Sequence, residues 1–332
     1  MYSLQTLHTF GFPVHAANVQ LVTSLQDIQQ NWQEIKRQHH YILGEGSNTV
    51  FLENFLGSIY KIAIKGISLR ETDQDFILKV GAGENWHQLV EWCLSQGIAG
   101  FENLALIPGT VGAAPIQNIG AYGVEVEQFI TSIEYLCLAS GTIKTIAHAD
   151  CEFAYRDSVF KQALAGQIVI GYVTFRLCKN WVANANYAEL RELPKPTARD
   201  IFNKVVQVRQ LKLPDPQKVG NAGSFFKNPI IDKALFEYLQ QRYPSLPSYP
   251  IDSQKVKVPA AWFIDTLGFK GRSVGGVQCH VSQPLVLTNN GMGNGDELLR
   301  LARQIKQTVK EHFLIELENE VQLVSNTGLI RV

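Results

Sequence analysis

The amino-acid sequence predicts a globular α+β protein with mixed sheets. Hydrophobic residues make up 45% of the 332 residues and charged residues 18%, a composition that excludes a disordered chain. Strand-like segments follow one another without the regular strand–helix alternation of a parallel α/β sheet. The chain is about twice as long as a typical domain of ~150 residues, so we expect two or three domains.

The first part of the chain predicts short strands and two helices. Ser24, followed three residues later by Asp27, is typical of a helix start, and we expect a helix over roughly 25–38. A second helix is expected over 84–96, ended by Gly97. Strands are expected at residues 16–22, 41–52 (divided by a glycine turn), 60–67 and 75–83.

Residues 98–123 are apolar but are interrupted repeatedly by glycine and proline, so we expect a folded loop region without a long helix. Beyond it, strands are expected at 126–138, 142–146 and 167–177. Thr197 and Asp200 indicate a second helix start, and Pro214 a domain boundary. Further helices are expected at 232–242, 260–268 and 296–313, and strand-like alternation at 315–324.

Charge is balanced overall but is unevenly distributed. Lys and Arg number 30, as do Asp and Glu, and zero net charge argues against a general nucleic-acid binder. Residues 201–310 hold 15 basic and 7 acidic residues, a net charge of +8. Charge alone leaves open whether this segment binds an anion or only reflects variation in surface composition.

The sequence predicts a cytoplasmic protein without a membrane segment. No stretch approaches ~18 uninterrupted apolar residues, and the N-terminus lacks the basic and apolar regions of a secretory signal. The cysteines are odd in number and lack the C-x-x-C spacing of a zinc or redox motif, which is typical of reduced thiols. They are Cys93, Cys137, Cys151, Cys178 and Cys279.

Two glycine-rich motifs are candidates for contact with a phosphate or a flat ligand. Residues 44–48 (GEGSN) follow a strand and could direct main-chain N–H groups at an oxyanion, although the motif alone has low specificity. Residues 107–123 (IPGTVGAAPIQNIGAYG) offer a backbone with few side chains, but tight glycine turns also occur in ordinary β-domains. Neither motif alone separates a functional from a structural role.

Three side chains are candidates for chemistry. Ser224 in NAGSFFKNP could be a nucleophile, a proton donor or a turn hydroxyl, and no His/Asp pair is evident near it. Arg156 in YRDS could bind a carboxylate in a bidentate manner or form an ordinary ion pair. Glu320 alternates with Glu316 and Glu318, a pattern that also fits a solvated strand face.

Taken in order, these motifs resemble one family over nearly the whole chain. GEGSN, IPGTVGAAPIQNIGAYG, YRDSVFK, LPDP, NAGSFFKNP and ENEVQLV resemble the UDP-N-acetylenolpyruvoylglucosamine reductases, flavoproteins of peptidoglycan precursor synthesis. Their common order is far more specific than any single motif. The stretch around ANANYAEL resembles the longer form of the enzyme, which carries a tyrosine loop.

The resemblance implies a fold of three domains. Residues 1–67 would form one FAD-binding subdomain, and residues 68–213 together with 314–332 a second, in the fold of vanillyl-alcohol-oxidase-type flavoenzymes. Residues 214–313 would form an α/β domain that binds the UDP-sugar. A monomer is expected.

The resemblance also implies the chemistry. NADPH would reduce FAD, which would pass a hydride from N5 to C3 of the enolpyruvyl group of UDP-N-acetylglucosamine enolpyruvate, giving UDP-N-acetylmuramate. Arg156 and Glu320 match positions that polarise the substrate carboxylate, and Ser224 matches the acid that protonates C2. No metal is expected to take part.

Binding residues follow from the same resemblance. Tyr187, Lys212 and Asn228 match diphosphate-binding positions, and Gln283 matches a position by the uracil. Small residues at 112–114 (GAA) stand where many relatives carry serines, so a hydroxyl contact to FAD would be absent or replaced by backbone. The implied FAD contacts are Gly46, Ser47, Asn48, Gly109, Thr110, Gly112, Ile119 and Gly123.

Two other hypotheses compete with this one. An FAD oxidoreductase of the same fold with another substrate would keep both glycine-rich motifs but lack Arg156, Ser224 and Glu320 as a set. A catalytically inactive sugar-nucleotide sensor would carry a lesion in that set, and the sequence has none.

Overall fold

The computed structural model describes residues 1–332, which form seven α-helices and 21 strands. The helices are α1 (Leu25–Gln30), α2 (Trp32–Arg37), α3 (Trp86–Ser95), α4 (Ala198–Lys212), α5 (Lys233–Arg242), α6 (Ala260–Thr266) and α7 (Gly295–Phe313). The strands are β1 (Tyr2–Ser3), β2 (His15–Val22), β3 (His40–Leu43), β4 (Thr49–Phe51), β5 (Phe55–Ile62), β6 (Ile67–Glu71), β7 (Asp75–Gly81), β8 (Gly120–Ala121), β9 (Val124–Glu125), β10 (Ile130–Cys137), β11 (Thr142–Ala147), β12 (Ile168–Cys178), β13 (Gly220–Ser224), β14 (Ile230–Asp232), β15 (Tyr249–Pro250), β16 (Lys255–Lys257), β17 (Ser273–Val274), β18 (Val277–Cys279), β19 (Val286–Asn289), β20 (Gln322–Ser325) and β21 (Gly328–Ile330).

The chain divides into two compact units, which are described separately. The N-terminal unit comprises residues 1–2, 16–45 and 56–211. The C-terminal unit comprises residues 3–15, 46–55 and 212–332. The finer division into two FAD-binding subdomains and a substrate domain stays a prediction. None of the helices combines the length and the apolar character needed to cross a bilayer.

The N-terminal unit is built on an antiparallel sheet of five strands in the order β11-β10-β12-β7-β6. In a second sheet β3 runs parallel to β5. The core between these elements contains Trp86, which lies 5.2 Å from Phe101 and 6.1 Å from Phe175 between ring centroids. Burial of three large aromatic rings fixes α3 on the sheet and therefore the loop that follows it.

The two predicted helix starts are confirmed, but the first helix is shorter than expected. Ser24 Oγ accepts from Asp27 N at 3.1 Å, and Thr197 Oγ1 accepts from Asp200 N at 3.2 Å. The helix predicted over 25–38 is wrong in its continuity, since α1 ends at Gln30 and α2 begins at Trp32. Asn31 interrupts it because its carbonyl accepts from the amides of Glu34 and Ile35, which begin a new helix.

The C-terminal unit contains an antiparallel sheet in the order β13-β19-β18-β17 and a smaller one of β14, β16 and β15. Its core contains Phe263 and Phe313, whose ring centroids lie 4.8 Å apart. The strand predicted over 315–324 is formed only at its end, because β20 begins at Gln322, where it pairs in parallel with β4. The preceding residues keep the predicted alternation, with Ile315 and Leu317 buried.

Candidate active site

The loop at residues 107–123 is fixed on the end of β7 by main-chain hydrogen bonds. Gly112 N donates to Ala82 O at 2.9 Å, and Val111 N donates to Glu84 O at 2.8 Å. A Cβ atom on Gly112 would lie 2.5 Å from the Ala82 Cβ, so only glycine fits there. Gly112 therefore has a packing role, and its contact with FAD stays a prediction.

Residues 44 and 45 of the GEGSN motif lie against this loop. A Cβ atom on Gly44 would lie 2.9 Å from Thr110 Oγ1 and 3.5 Å from the Ala113 Cβ. The Glu45 carboxylate accepts from Gly109 N at 2.9 Å and from Asn85 Nδ2 at 3.1 Å. The Gly109 amide is therefore engaged by the protein itself. Glu45, a functional candidate that no sequence motif indicates, links the two glycine-rich motifs.

Arg156 lies at the other end of the same loop. Its Nη2 donates to Gly120 O at 2.8 Å, and its Nη1 lies 3.4 Å from Asn118 O. Its main chain is in the left-handed region, with φ of 55°, a conformation that non-glycine residues adopt at a cost and that clusters at functional sites. The neighbouring Asp157 carboxylate accepts from Ser158 N and from Gln162 Nε2. Arg156 thus presents its guanidinium along the 107–123 loop.

The predicted tyrosine loop is attached to the same region of the N-terminal unit. Trp181 Nε1 donates to Glu102 Oε1 at 2.7 Å, and Asn184 Nδ2 donates to Gly123 O at 3.2 Å. The ring of Tyr187, which is 39% exposed, lies 5.3 Å from the ring of Tyr122 between centroids. The N-terminal unit therefore brings together Arg156, Tyr187 and the predicted flavin residues Gly109, Thr110, Gly112, Ile119 and Gly123.

The remaining part of the GEGSN motif belongs to the C-terminal unit. A Cβ atom on Gly46 would lie 2.1 Å from Leu7 O, so glycine is required for the close approach of two backbones. Asn48 Nδ2 donates to Glu320 O at 3.2 Å, and Asn48 O accepts from Gln322 N at 2.9 Å. Asn48 therefore positions the chain that carries Glu320, and contact of residues 46–48 with FAD stays a prediction.

Ser224 and Glu320 lie on adjoining segments of the C-terminal unit. Glu320 N donates to Phe225 O at 2.8 Å, which places Glu320 beside the residue that follows Ser224. Phe225 and Phe226 are buried and anchor this segment, and an irregularity in β13 between Asn221 and Ser224 interrupts the pairing with β19. Both candidate side chains are half-buried, so they are fixed but remain accessible.

Of the other predicted substrate residues, Asn228 and Gln283 lie on segments that adjoin β13 and β19. Asn228 Oδ1 accepts from Ala260 N at 3.0 Å at the start of α6, which leaves its Nδ2 group as the donor that it can offer to an anion. Gln283 lies in the turn between β18 and β19, where its main-chain N contacts His280 Nδ1 at 3.1 Å. Lys212 is the exposed last residue of α4.

The residues around the 107–123 loop fit FAD. A flat ring system needs backbone that side chains do not cover, and Gly44, Thr110 and Ala113 provide small groups in mutual contact. Gly109 and Gly123 have φ of 124° and 81°, so the loop turns tightly without bulky groups. These small groups and the Thr110 hydroxyl suit the flat face and the polar edge of an isoalloxazine.

Comparison with known proteins agrees with this geometry. Residues 16–147 match a family model described as an FAD binding domain, and residues 215–324 match one described as the UDP-N-acetylenolpyruvoylglucosamine reductase C-terminal domain. The fold and the site thus define a flavin-dependent oxidoreductase.

The chain belongs to the UDP-N-acetylenolpyruvoylglucosamine reductase family. It is 53% identical to the reductase of that name from Pseudoalteromonas atlantica over 99% of this chain and 95% of the relative. It is 43% identical to the one from Pasteurella multocida over 99% of this chain and 97% of the relative. The crystal structure of the Thermus caldophilus reductase, 21% identical, covers 97% of each chain with a TM-score of 0.67 and so shares the fold. The predicted resemblance to this family and the predicted fold class are confirmed, and the longer form with a tyrosine loop stays a prediction.

Proposed function

We propose that this protein reduces UDP-N-acetylglucosamine enolpyruvate to UDP-N-acetylmuramate with FAD as cofactor and NADPH as electron donor. The observation that carries the proposal is the 53% identity to a reductase of that name over 99% of the chain. Arg156, Ser224 and Glu320 are all present and held in place, which argues against an inactive sensor and against a flavoenzyme for an unrelated substrate.

FAD, when bound, supplies the hydride for the enolpyruvyl group. The protein holds it with the backbone of the 107–123 loop and with residues 46–48. Glu45 and Asn85 fix the Gly109 end of the loop before the cofactor arrives. This preorganisation lowers the entropic cost of binding.

Arg156 and Glu320 act on the substrate carboxylate. Arg156 is placed by its hydrogen bond to Gly120 O, and its cation stabilises the negative charge that develops towards the carboxylate when hydride adds at C3. Glu320 in its protonated form donates a hydrogen bond to the same group. Its main chain is fixed by Asn48 and by Phe225 O.

Ser224 delivers a proton to C2. A hydroxyl is a weak acid in water, but the acceptor here is a strongly basic, enolate-like carbon. Ser224 ends β13 at the irregularity in pairing, so its side chain is accessible while its backbone is held by the buried Phe225.

The sugar nucleotide is bound through its charged and polar groups. Tyr187, Lys212 and Asn228 bind the diphosphate, and Gln283 lies by the uracil. We further propose that residues 1–67, 68–213 with 314–332, and 214–313 act as three domains, and that the protein is a monomeric enzyme of the cytoplasm that binds no nucleic acid. The five free cysteines support a reducing compartment.

Substitution of Ser224 tests the mechanism. In Ser224→Ala, reduction of bound FAD by NADPH should remain within about twofold of wild type. Reoxidation by the enolpyruvyl sugar nucleotide should slow by roughly 10²- to 10⁴-fold, the usual contribution of a positioned general acid. Stopped-flow absorbance of the flavin measures both half-reactions.

Ser325→Ala is the matched control, because Ser325 lies in the same unit and its hydroxyl contacts only its own turn, donating to Gly328 O at 3.1 Å and meeting Thr327. It should leave both half-reactions unchanged. Equal slowing of both half-reactions in Ser224→Ala would rule out the proton-donor role.

A further inference from the structure

Arg209 is a half-buried cation that the proposed function does not use. It lies in the last turn of α4, directly after the buried Val208. Its Nε atom is buried and has no hydrogen-bond acceptor. A buried guanidinium N–H without an acceptor costs free energy, so its retention calls for an explanation.

Burial and a second guanidinium both act on the charge of Arg209. Burial lowers the Arg209 pKa, the neighbouring Arg156 lowers it further, and Tyr122 opposes both effects. No carboxylate is among the groups that shift it. The pKa of His87 is lowered chiefly by burial. The Glu91 carboxylate raises it, and Arg209 lowers it further. Two guanidiniums that repel each other in a partly buried region are stabilised when an anion binds beside them.

Tyr122 connects Arg209 with the candidate active site. Tyr122 belongs to the 107–123 loop, has φ of 49°, and contacts the ring of Tyr187. Burial raises the Tyr122 pKa, and Arg209 opposes that rise while Glu189 and Tyr187 add to it. Arg209 therefore interacts electrostatically with Arg156 and with Tyr122, the residue of the 107–123 loop whose ring contacts Tyr187.

We propose that Arg209 is a substrate-binding residue that acts with Arg156 to hold an oxyanion group of the sugar nucleotide. The proposal rests on the proposed function. The buried Nε provides a donor for the bound anion, and a planar guanidinium matches both carboxylate and phosphate oxygens. The anion supplies the acceptor that the protein lacks.

The experiment measures ligand binding to the FAD-loaded Arg209→Met and Arg209→Lys variants by calorimetry, together with reoxidation of the reduced flavin. We expect the Kd of UDP-N-acetylmuramate to rise roughly 10- to 100-fold in Arg209→Met, the range of a hydrogen bond to a charged group, with partial recovery in Arg209→Lys. Reduction of the flavin by NADPH should be unchanged.

Binding of UDP distinguishes the two oxyanions. If only ligands with the lactyl or enolpyruvyl carboxylate weaken, Arg209 acts with Arg156 on the carboxylate. If UDP binding weakens equally, Arg209 holds the diphosphate, and the shared role with Arg156 is ruled out. Arg199→Met is the control, because Arg199 lies at the exposed start of the same helix, with its guanidinium carbon 5.3 Å from the Phe202 ring centroid.

The outcomes separate this inference from the proposed function. If wild type turns over the enolpyruvyl substrate and a folded Arg209→Met binds every ligand as wild type does, Arg209 has no substrate role. A lower thermal midpoint without any change in Kd would assign it a structural role and overturn the inference. If wild type itself fails to reduce the substrate, the proposed function is wrong.

Discussion

Hydrogen bonds that involve main-chain groups hold the individual residues on which the proposed mechanism depends. Arg156 is held by Gly120 O, and the Glu320 backbone by Asn48 and Phe225. The identity of these side chains follows from short motifs in the sequence. The contacts that hold these side chains do not follow from the sequence, because Asn48 and Glu320 are 272 positions apart and no local pattern links them. Arg209 was missed for the same reason, since burial of one nitrogen is a property of the folded chain.

His8 illustrates a residue whose properties arise entirely from burial. It is 2% exposed, its ring lies 5.6 Å from that of Phe51 between centroids, and burial lowers its pKa to about 4. In the unfolded chain the pKa is ~6.5. Between these pH values the unfolded state takes up a proton that the folded state does not. The stability that the neutral, buried imidazole contributes is therefore lost as the pH falls from ~6.5 to about 4.

We therefore expect His8→Leu to remove one pH-dependent component of the free energy of unfolding. The difference in the free energy of unfolding between wild type and variant should change by about 3 kcal/mol between pH 7 and pH 4, so that the variant gains in relative stability at low pH. Urea denaturation at a series of pH values measures it. His39→Leu, at an exposed position, is the control, and parallel pH profiles for wild type and His8→Leu would contradict the burial argument.

Helices and strands with local signals were predicted well, and those that depend on distant partners were not. The caps at Ser24 and Thr197 lie within three residues of their partners, so the sequence contains the whole signal. The extent of β20 depends on its parallel pairing with β4, about 270 positions earlier, and periodicity cannot reveal where that pairing begins. The alternation at 315–320 arises from burial against the core and not from a sheet.

The contact between the two glycine-rich motifs gives a prediction about FAD binding. In Glu45→Gln only one oxygen remains. It can take the place of Oε2, which accepts from Gly109 N and Asn85 Nδ2, but the new NH₂ group in the place of Oε1 then faces the Asn85 Nδ2 donor. We expect FAD affinity to fall roughly 5- to 30-fold, which corresponds to about 1–2 kcal/mol. Titration of apoprotein with FAD, followed by flavin fluorescence, measures the Kd.

Glu53→Gln is the control for this measurement. The Glu53 carboxylate also accepts from one main-chain amide, Asn326 N at 3.0 Å, but in the C-terminal unit and at an exposed position. It should leave the Kd for FAD unchanged. Equal Kd values for Glu45→Gln and wild type would show that the loop does not need this carboxylate.

For the whole molecule, composition predicted a globular fold and the order of the motifs predicted the family. The net charge of +8 in residues 201–310 left the question of an anion site open, and the segment includes most of α4, with Arg209 and Lys212. The division into units could not be derived from composition, because residues 3–15 and 46–55 join the C-terminal unit through contacts distant in sequence. Arg156 belongs to one unit, and Ser224 and Glu320 belong to the other.

The proposed activity is tested most directly by a single-turnover measurement. The FAD-loaded protein is reduced with NADPH without oxygen, freed of excess nucleotide, and mixed with UDP-N-acetylglucosamine enolpyruvate while flavin absorbance is recorded. We predict rapid, stoichiometric reoxidation with formation of UDP-N-acetylmuramate, and no reoxidation with UDP-N-acetylglucosamine, which lacks the enolpyruvyl group. A flavin that stays reduced in the presence of the enolpyruvyl substrate would contradict the proposed function.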